Sequence, residues 1–166
     1  MIGEEYLKIV RERFTYMKRT AERAIQQVSD SGLFWQDNEE SNSIAIIVKH
    51  MSGNMVSRWT DFLSADGEKE DRDRDNEFVL HFSGRHEVIE CWERGWHVFL
   101  QELDMIKEPD LMRTVTIRGE EHSVMEAIER QMYHYSYHVG QIVYIAKQQA
   151  AESWKTLTIE RARVYK

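Results

Sequence analysis

The sequence predicts an all-α protein folded as a four-helix bundle. Four separate stretches place apolar residues at three- and four-residue steps, the 166 residues contain a single proline, and only one short stretch alternates as a strand would. Amphipathic helices with no large sheet to cover can bury their apolar stripes only against one another. The length is that of one domain, expected over residues 1–166.

The first predicted helix covers about residues 4–28, where Tyr6, Val10, Phe14, Met17, Ala21, Ala24 and Val28 share a face. Asp30, Ser31 and Gly32 break the pattern. Leu33, Phe34 and Trp35 are therefore expected beneath a loop, with Ser41 or Asn42 as the next N-cap. The second helix, about 42–64, carries Ile44, Ile47, Val48, Met51, Met55, Trp59 and Phe62, and Asp66 with Gly67 closes it. The run EKEDRDRDNE, residues 68–77, mixes both signs of charge and reads as a solvated connection. A third helix, about 85–107, carries Ile89, Trp92, Trp96, Phe99, Leu103 and Ile106, with Pro109 just past its end. Thr114, Val115, Thr116 and Ile117 predict a short strand or extended segment before the last helix, able to pair with residues 157–159. Ser123 and Glu126 form a capping box that opens the fourth helix, with Val124, Ile128, Tyr135, Val139, Ile142 and Ala146 on its stripe.

Lys and Arg number 22 against 29 Asp and Glu, a net charge of −7, which argues against a broad phosphate-gripping surface and so against a nucleic-acid partner. The lone Cys91 can form neither an internal disulfide nor a cysteine zinc cage, which fits a reducing, cytoplasmic compartment. No run approaches the ~18 apolar residues of a membrane span, and the amino end lacks an apolar targeting core, so no membrane partner is expected. Glu90 and Glu93 flank Cys91 and oppose a thiolate there, so it reads as a packed thiol. Trp59, Trp92 and Trp96 read as core, and so do Tyr133, Tyr137 and Tyr144, with lining of a pocket as the alternative for the tyrosines.

Chemistry concentrates in the histidines. His134 and His138 are four residues apart on the fourth helix, so their rings stack along one face and can hold one metal ion together. At about 100° per residue both turn toward the bundle interior or its rim. A buried imidazole pair without a cation must stay neutral and satisfy two nitrogens on each ring. Tyr135 follows His134 where a zinc protease has its glutamate base, which disfavours peptidase chemistry. A third ligand should come from another helix, and His50 on the flank of the second is the choice, with Asn54 one turn on. Gly53 and Gly140 are helix-interior glycines beside these positions, explained equally by close backbone approach at a site or by tight helix crossing. His81, His86, His97 and His122 read as surface or capping residues.

The strings NSIAIIVKHMSGNMVSRWTDFL from Asn42 and MEAIERQMYHYSYHVGQIVYIAK from Met125 resemble the DinB superfamily. The likeness is nearest to its uncharacterised domains with H-x-G-N and H-x-x-x-H-x-G-Q patterns, although His50 is separated from Gly53 and Asn54 by Met51 and Ser52. It extends over nearly the whole chain, through RWTDFLSADGEK, CWERGW and TVTIRGEEHSV. The resemblance implies a bundle in 1-2-4-3 helix order, a divalent metal on His50, His134 and His138, and a homodimer. Relatives in that superfamily include bacillithiol S-transferases and mycothiol-dependent maleylpyruvate isomerase.

Three imidazoles leave part of a zinc or nickel coordination sphere open, where a thiol can be held as thiolate or a water activated. The resulting expectation is a transferase joining a small cellular thiol to an electrophilic substrate, with Asn54 and Gln141 orienting the ligands. A non-catalytic, stress-associated protein whose ion staples two helices, and a metal-dependent hydrolase, are the alternatives.

Overall fold

Helix α1 (Ile2–Ile25) turns Val10, Phe14, Ala21 and Ala24 inward, as its spacing predicts, and Leu7 with them, while Tyr6 and Met17 of the expected stripe are only partly buried. A computed structural model describes residues 1–160; the expected domain also takes in 161–166, which lie outside the described residues. The described residues are mostly helical, with five α-helices and a small two-stranded sheet. After α1 comes a helix where a loop was expected, α2 (Asp30–Phe34), because the Ser29 hydroxyl accepts from Gly32 N and caps one turn. Leu33 is buried beneath it.

Helix α3 (Ile44–Trp59) starts later and ends earlier than its sequence stripe. Its N-cap is Ser43, whose hydroxyl accepts from Ile46 N, so neither Ser41 nor Asn42 has that role. Helix α4 (Arg85–Met105) and helix α5 (Val124–Ala150) follow, α5 opening on the expected Ser123 and Glu126 capping box. Helix α3 packs most extensively on α4, and α1 on α5, while α3 also meets α5 and α1 meets α4. The expected meeting of the second and fourth long helices is present, but these contacts do not establish the 1-2-4-3 order.

The α3–α4 seam is close because Gly95 has no side chain: a Cβ there would lie 2.7 Å from Ser52 Cα. Ser52 Oγ donates to Cys91 O across the same seam (2.7 Å). Around it Trp59, Trp92, Trp96, Phe99, Phe14 and Tyr135 are fully buried and meet mainly edge to face. The three tryptophans are core, as expected.

Strands β1 (Thr114–Ile117) and β2 (Glu120–Ser123) form an antiparallel hairpin. The expected partner at residues 157–159 is replaced by β2 because Arg118 and Gly119 take positive φ values of 56° and 75°, which turn the chain straight back. Asp66 accepts from both turn amides (2.9 Å each) and Gly67 N donates to Thr116 O (2.8 Å), tying the hairpin to the connection that follows α3. Leu157 is held at α1 instead, with Arg23 donating to its carbonyl, and Ile159 is exposed. Among the described residues, no helix is long and apolar enough to cross a membrane.

Candidate metal centre

Helix α3 supplies His50, and α5 supplies His134 and His138 one turn apart. The His134 Nε2 atom lies 3.3 Å from His50 Nε2 and 3.0 Å from His138 Nε2. One ligand nitrogen from each ring lies within 4.8 Å of the other two, so the three histidines are close enough to hold a metal ion. His50 is 6% and His138 8% exposed, and His134 is half-buried at the rim, matching the rotation predicted for the fourth helix.

The outer nitrogens decide what the inner ones can do. His50 Nδ1 lies 2.8 Å from Glu77 Oε2, and His138 Nδ1 lies 2.8 Å from Gln141 Oε1. In a neutral ring an Nδ1 that faces an acceptor takes the one ring hydrogen, which leaves the two Nε2 atoms lone pairs toward His134. A neutral His134 can offer its one hydrogen to only one of them. A cation at the meeting point would answer all three. Two nitrogens bound at about 2.0–2.1 Å, with ligand angles of about 90–109°, are about 2.8–3.4 Å apart. The 3.0 and 3.3 Å separations fall in that range, so the donor set and the two spacings about His134 fit.

Electrostatics point the same way. Burial, followed by the neighbouring His138 and His50, lowers His134 to about 3. Burial lowers His138 to about 4, against the raising effect of its Gln141 hydrogen bond. Both rings are therefore neutral at pH 7 and available as ligands.

Of the two residues expected to orient ligands, Gln141 does contact His138, whereas the Asn54 carbonyl oxygen accepts from the Tyr135 hydroxyl (3.1 Å) and from no imidazole among the described residues. Glu77 and Arg72, from the run expected to be a solvated connection, were missed. The run is not uniformly wet: Glu77 is 6% exposed and the Arg72 side chain 4%. Arg72 grips Glu77 through Nε to Oε1 (2.8 Å) and Nη2 to Oε2 (2.9 Å), and its Nη1 donates to Glu68 Oε2 (2.9 Å). Burial would raise the Glu77 carboxyl, but the hydrogen bonds from His50 and Arg72, with the Arg72 charge, hold it below the usual carboxylate value. A 3-10 turn, Asp75–Phe78, brings Glu77 inward. Lys49 Nζ ties that turn to α3 by donating to the carbonyls of Asn76 (2.6 Å) and Val79 (2.8 Å), and Phe78 stacks on the His50 ring at 4.7 Å. The sequence signal that could have found Glu77 was Gly53, where a Cβ would lie 2.3 Å from Glu77 Oε1.

Gly140, by contrast, has nothing within 4 Å of a Cβ position, so tight helix crossing does not explain that glycine; its backbone lines a cavity. Tyr133, Tyr137 and Tyr144 are exposed rather than packed in the core, because they occupy the outward side of α5. Tyr137 and Tyr144, with Gln141 and Trp35, line a cavity of ≈ 780 Å³ beside His138. A second cavity, ≈ 860 Å³, lies on the far side of His50, where Gly53, Arg72, Glu77 and Cys91 contribute to its wall.

Comparison with curated proteins and with solved structures gives no match. A protein-family model described as "Protein of unknown function (DUF1572)" matches residues 1–163. A match over nearly the full length, containing all three histidines and both residues that hold their outer nitrogens, places the chain in that family: it belongs to DUF1572.

Proposed function

We propose that the protein is a DinB-like four-helix bundle that holds one divalent ion, zinc or nickel, on His50, His134 and His138. We further propose that it transfers a low-molecular-weight thiol, bacillithiol-like in chemistry, to an electrophilic small molecule. The observation that supports the metal is the convergence of the three Nε2 atoms, at 3.0 and 3.3 Å around His134. The transferase step rests on the resemblance and on the ligand count, since three protein ligands leave coordination room for a substrate. When bound, such an ion acidifies a thiol or a water that reaches it.

The chain's own residues orient the ligand rings: Glu77 and Gln141 occupy the outer nitrogens of His50 and His138. Burial disfavours the charged forms of His134 and His138. The cavity of ≈ 780 Å³ beside His138 has the size of a small-molecule site and is the place proposed for the acceptor. The 1-2-4-3 order, homodimer and cytoplasmic location belong to the same DinB-like reading. The α3–α5 contact favours that helix order, and the more extensive α3–α4 and α1–α5 contacts weigh against it.

A second reading, an ion that staples α3 to α5 without turnover, is favoured by the ligands coming from those two helices. A metal-dependent hydrolase shares the same centre. Zinc- or nickel-loaded protein is to be assayed with small thiols and a generic electrophile, beside His138→Ala. Thiol-dependent turnover lost in the variant supports the transferase. A loaded protein that is inert to thiols but loses thermal stability in chelator supports the staple.

A further inference from the structure

The charged connection seats Glu77 behind His50 with more contacts than a solvated link needs. Arg72 directs one N–H at each Glu77 carboxylate oxygen, so what remains for His50 is lone pairs. The one hydrogen of a neutral His50 ring is thereby drawn to Nδ1, and Nε2 keeps the lone pair that a metal takes. The Arg72 charge largely cancels that of Glu77 at close range. Orientation and tautomer, rather than a net negative field, are then the means by which Glu77 acts on the centre.

The seat itself depends on Gly53, since a Cβ there would meet Glu77 Oε1 at 2.3 Å and Glu77 Cδ at 2.7 Å. Phe78, the next residue, stacks on the same imidazole, so one short turn fixes both the hydrogen bond and the plane of the ring. His138 is held differently, by the neutral amide of Gln141 on its own helix.

The geometry points to Glu77 as a positioning residue that, clamped by Arg72 and seated over Gly53, holds His50 in the Nδ1–H tautomer with Nε2 directed at His134. Its purpose rests on the metal reading above; its effect on the ring does not.

Nitrogen-15 NMR of histidine-labelled, metal-free protein at pH 8 reads which nitrogen of each ring carries the hydrogen, and zinc titration by calorimetry is run in parallel. The variants are Arg72→Met with Glu77→Leu, which removes both charges together so that no buried guanidinium is left unpaired, and Gly53→Ala, which displaces the carboxylate by one methyl group. In the wild type His50 is Nδ1–H. In the paired variant His50 loses that preference while His138 keeps it, and the zinc dissociation constant rises about 10- to 100-fold. Gly53→Ala moves both readouts in the same direction by less, and it carries the test if the paired variant does not fold. A His50 tautomer that is unchanged in the folded variants, or an unchanged zinc affinity, overturns the positioning role. A wild type that takes up no zinc, while the His50 tautomer still switches in the variants, overturns the metal reading and upholds the positioning of the ring.

Discussion

The two sides of α3 are built on opposite principles. Toward α4 it presents an apolar seam, where Ser52 lies against Gly95 and the aromatic cluster around Trp96 and Phe99 fills the space. Toward α5 it presents His50, whose neighbours are two more imidazoles, and a carboxylate and its arginine stand behind it. On the first side, position is fixed by volume, because a close-packed interior resists both voids and added atoms. On the second it is fixed by hydrogen-bond accounting, since each buried nitrogen needs a partner and the inner three lack enough hydrogens among themselves. One helix thus carries a face that stabilises the fold and a face that costs stability until something answers its lone pairs.

The largest expected effect lies on the apolar side. Trp96→Ala opens the aromatic cluster where Trp96 is fully buried, and a loss of about 3–5 kcal/mol in denaturant unfolding is expected. Zinc uptake per folded chain stays unchanged. A Trp96→Ala protein that folds but takes up no metal would show the two sides to be coupled rather than separate.

Next in size is the ion itself. Zinc held at 100 times its dissociation constant should add about 2.7 kcal/mol to unfolding stability in the wild type. In His134→Ala that gain should largely vanish, which differential scanning calorimetry with and without chelator would register. An equal gain in both proteins would place the ion elsewhere.

Acidification should give a smaller change confined to the polar side. His134 and His138 are lowered to about 3 and about 4 in the folded protein. From an unfolded value near 6.5, the unfolded chain takes up these protons first. The stability these two neutral rings contribute is fully present above pH ~6.5 and falls as the pH drops toward 4. Metal-free His134→Ala/His138→Ala protein should show a shallower decline in urea unfolding between pH 6.5 and 4.5. Parallel slopes would remove these two rings from the account of acid sensitivity.

The smallest effect is expected at Gly140. It sits inside α5 with nothing within 4 Å of a Cβ, so Gly140→Ala should stabilise the protein by about 0.5–1 kcal/mol with no change in zinc affinity. Destabilisation would point to a partner on that side of the helix.

How much of this was legible in the sequence follows the same division. The apolar stripes of the four long helices were readable because burial against one side imposes a 3.6-residue rhythm, and Trp59, Trp92, Trp96, Phe99 and Tyr135 sit where that rhythm put them. His50, His134 and His138 were also readable, since four-residue spacing and rotation placed two rings and the flank of another helix supplied the third. Glu77 and Arg72 were not. Glu77 is buried by a single 3-10 turn and Arg72 by its pairing with Glu77 and Glu68, inside a run of exposed charges, and such local contacts leave no periodic mark. The hairpin partner was missed for a similar reason: Glu120, Glu121, His122 and Ser123 have no strand composition, and their pairing follows from the Arg118–Gly119 turn. The outward placement of Tyr133, Tyr137 and Tyr144 was not legible from residue type, since an aromatic ring with a hydroxyl suits either a core or a wet surface and only rotation around α5 separates the two.

The most direct measurement is metal stoichiometry by equilibrium dialysis and elemental analysis, on wild type and on separate alanine variants of His50, His134 and His138. One zinc or nickel per chain in the wild type, and a loss of at least tenfold in affinity in each single variant that remains folded, is the predicted result. Uptake that persists at wild-type affinity when any one of the three rings is removed would contradict it.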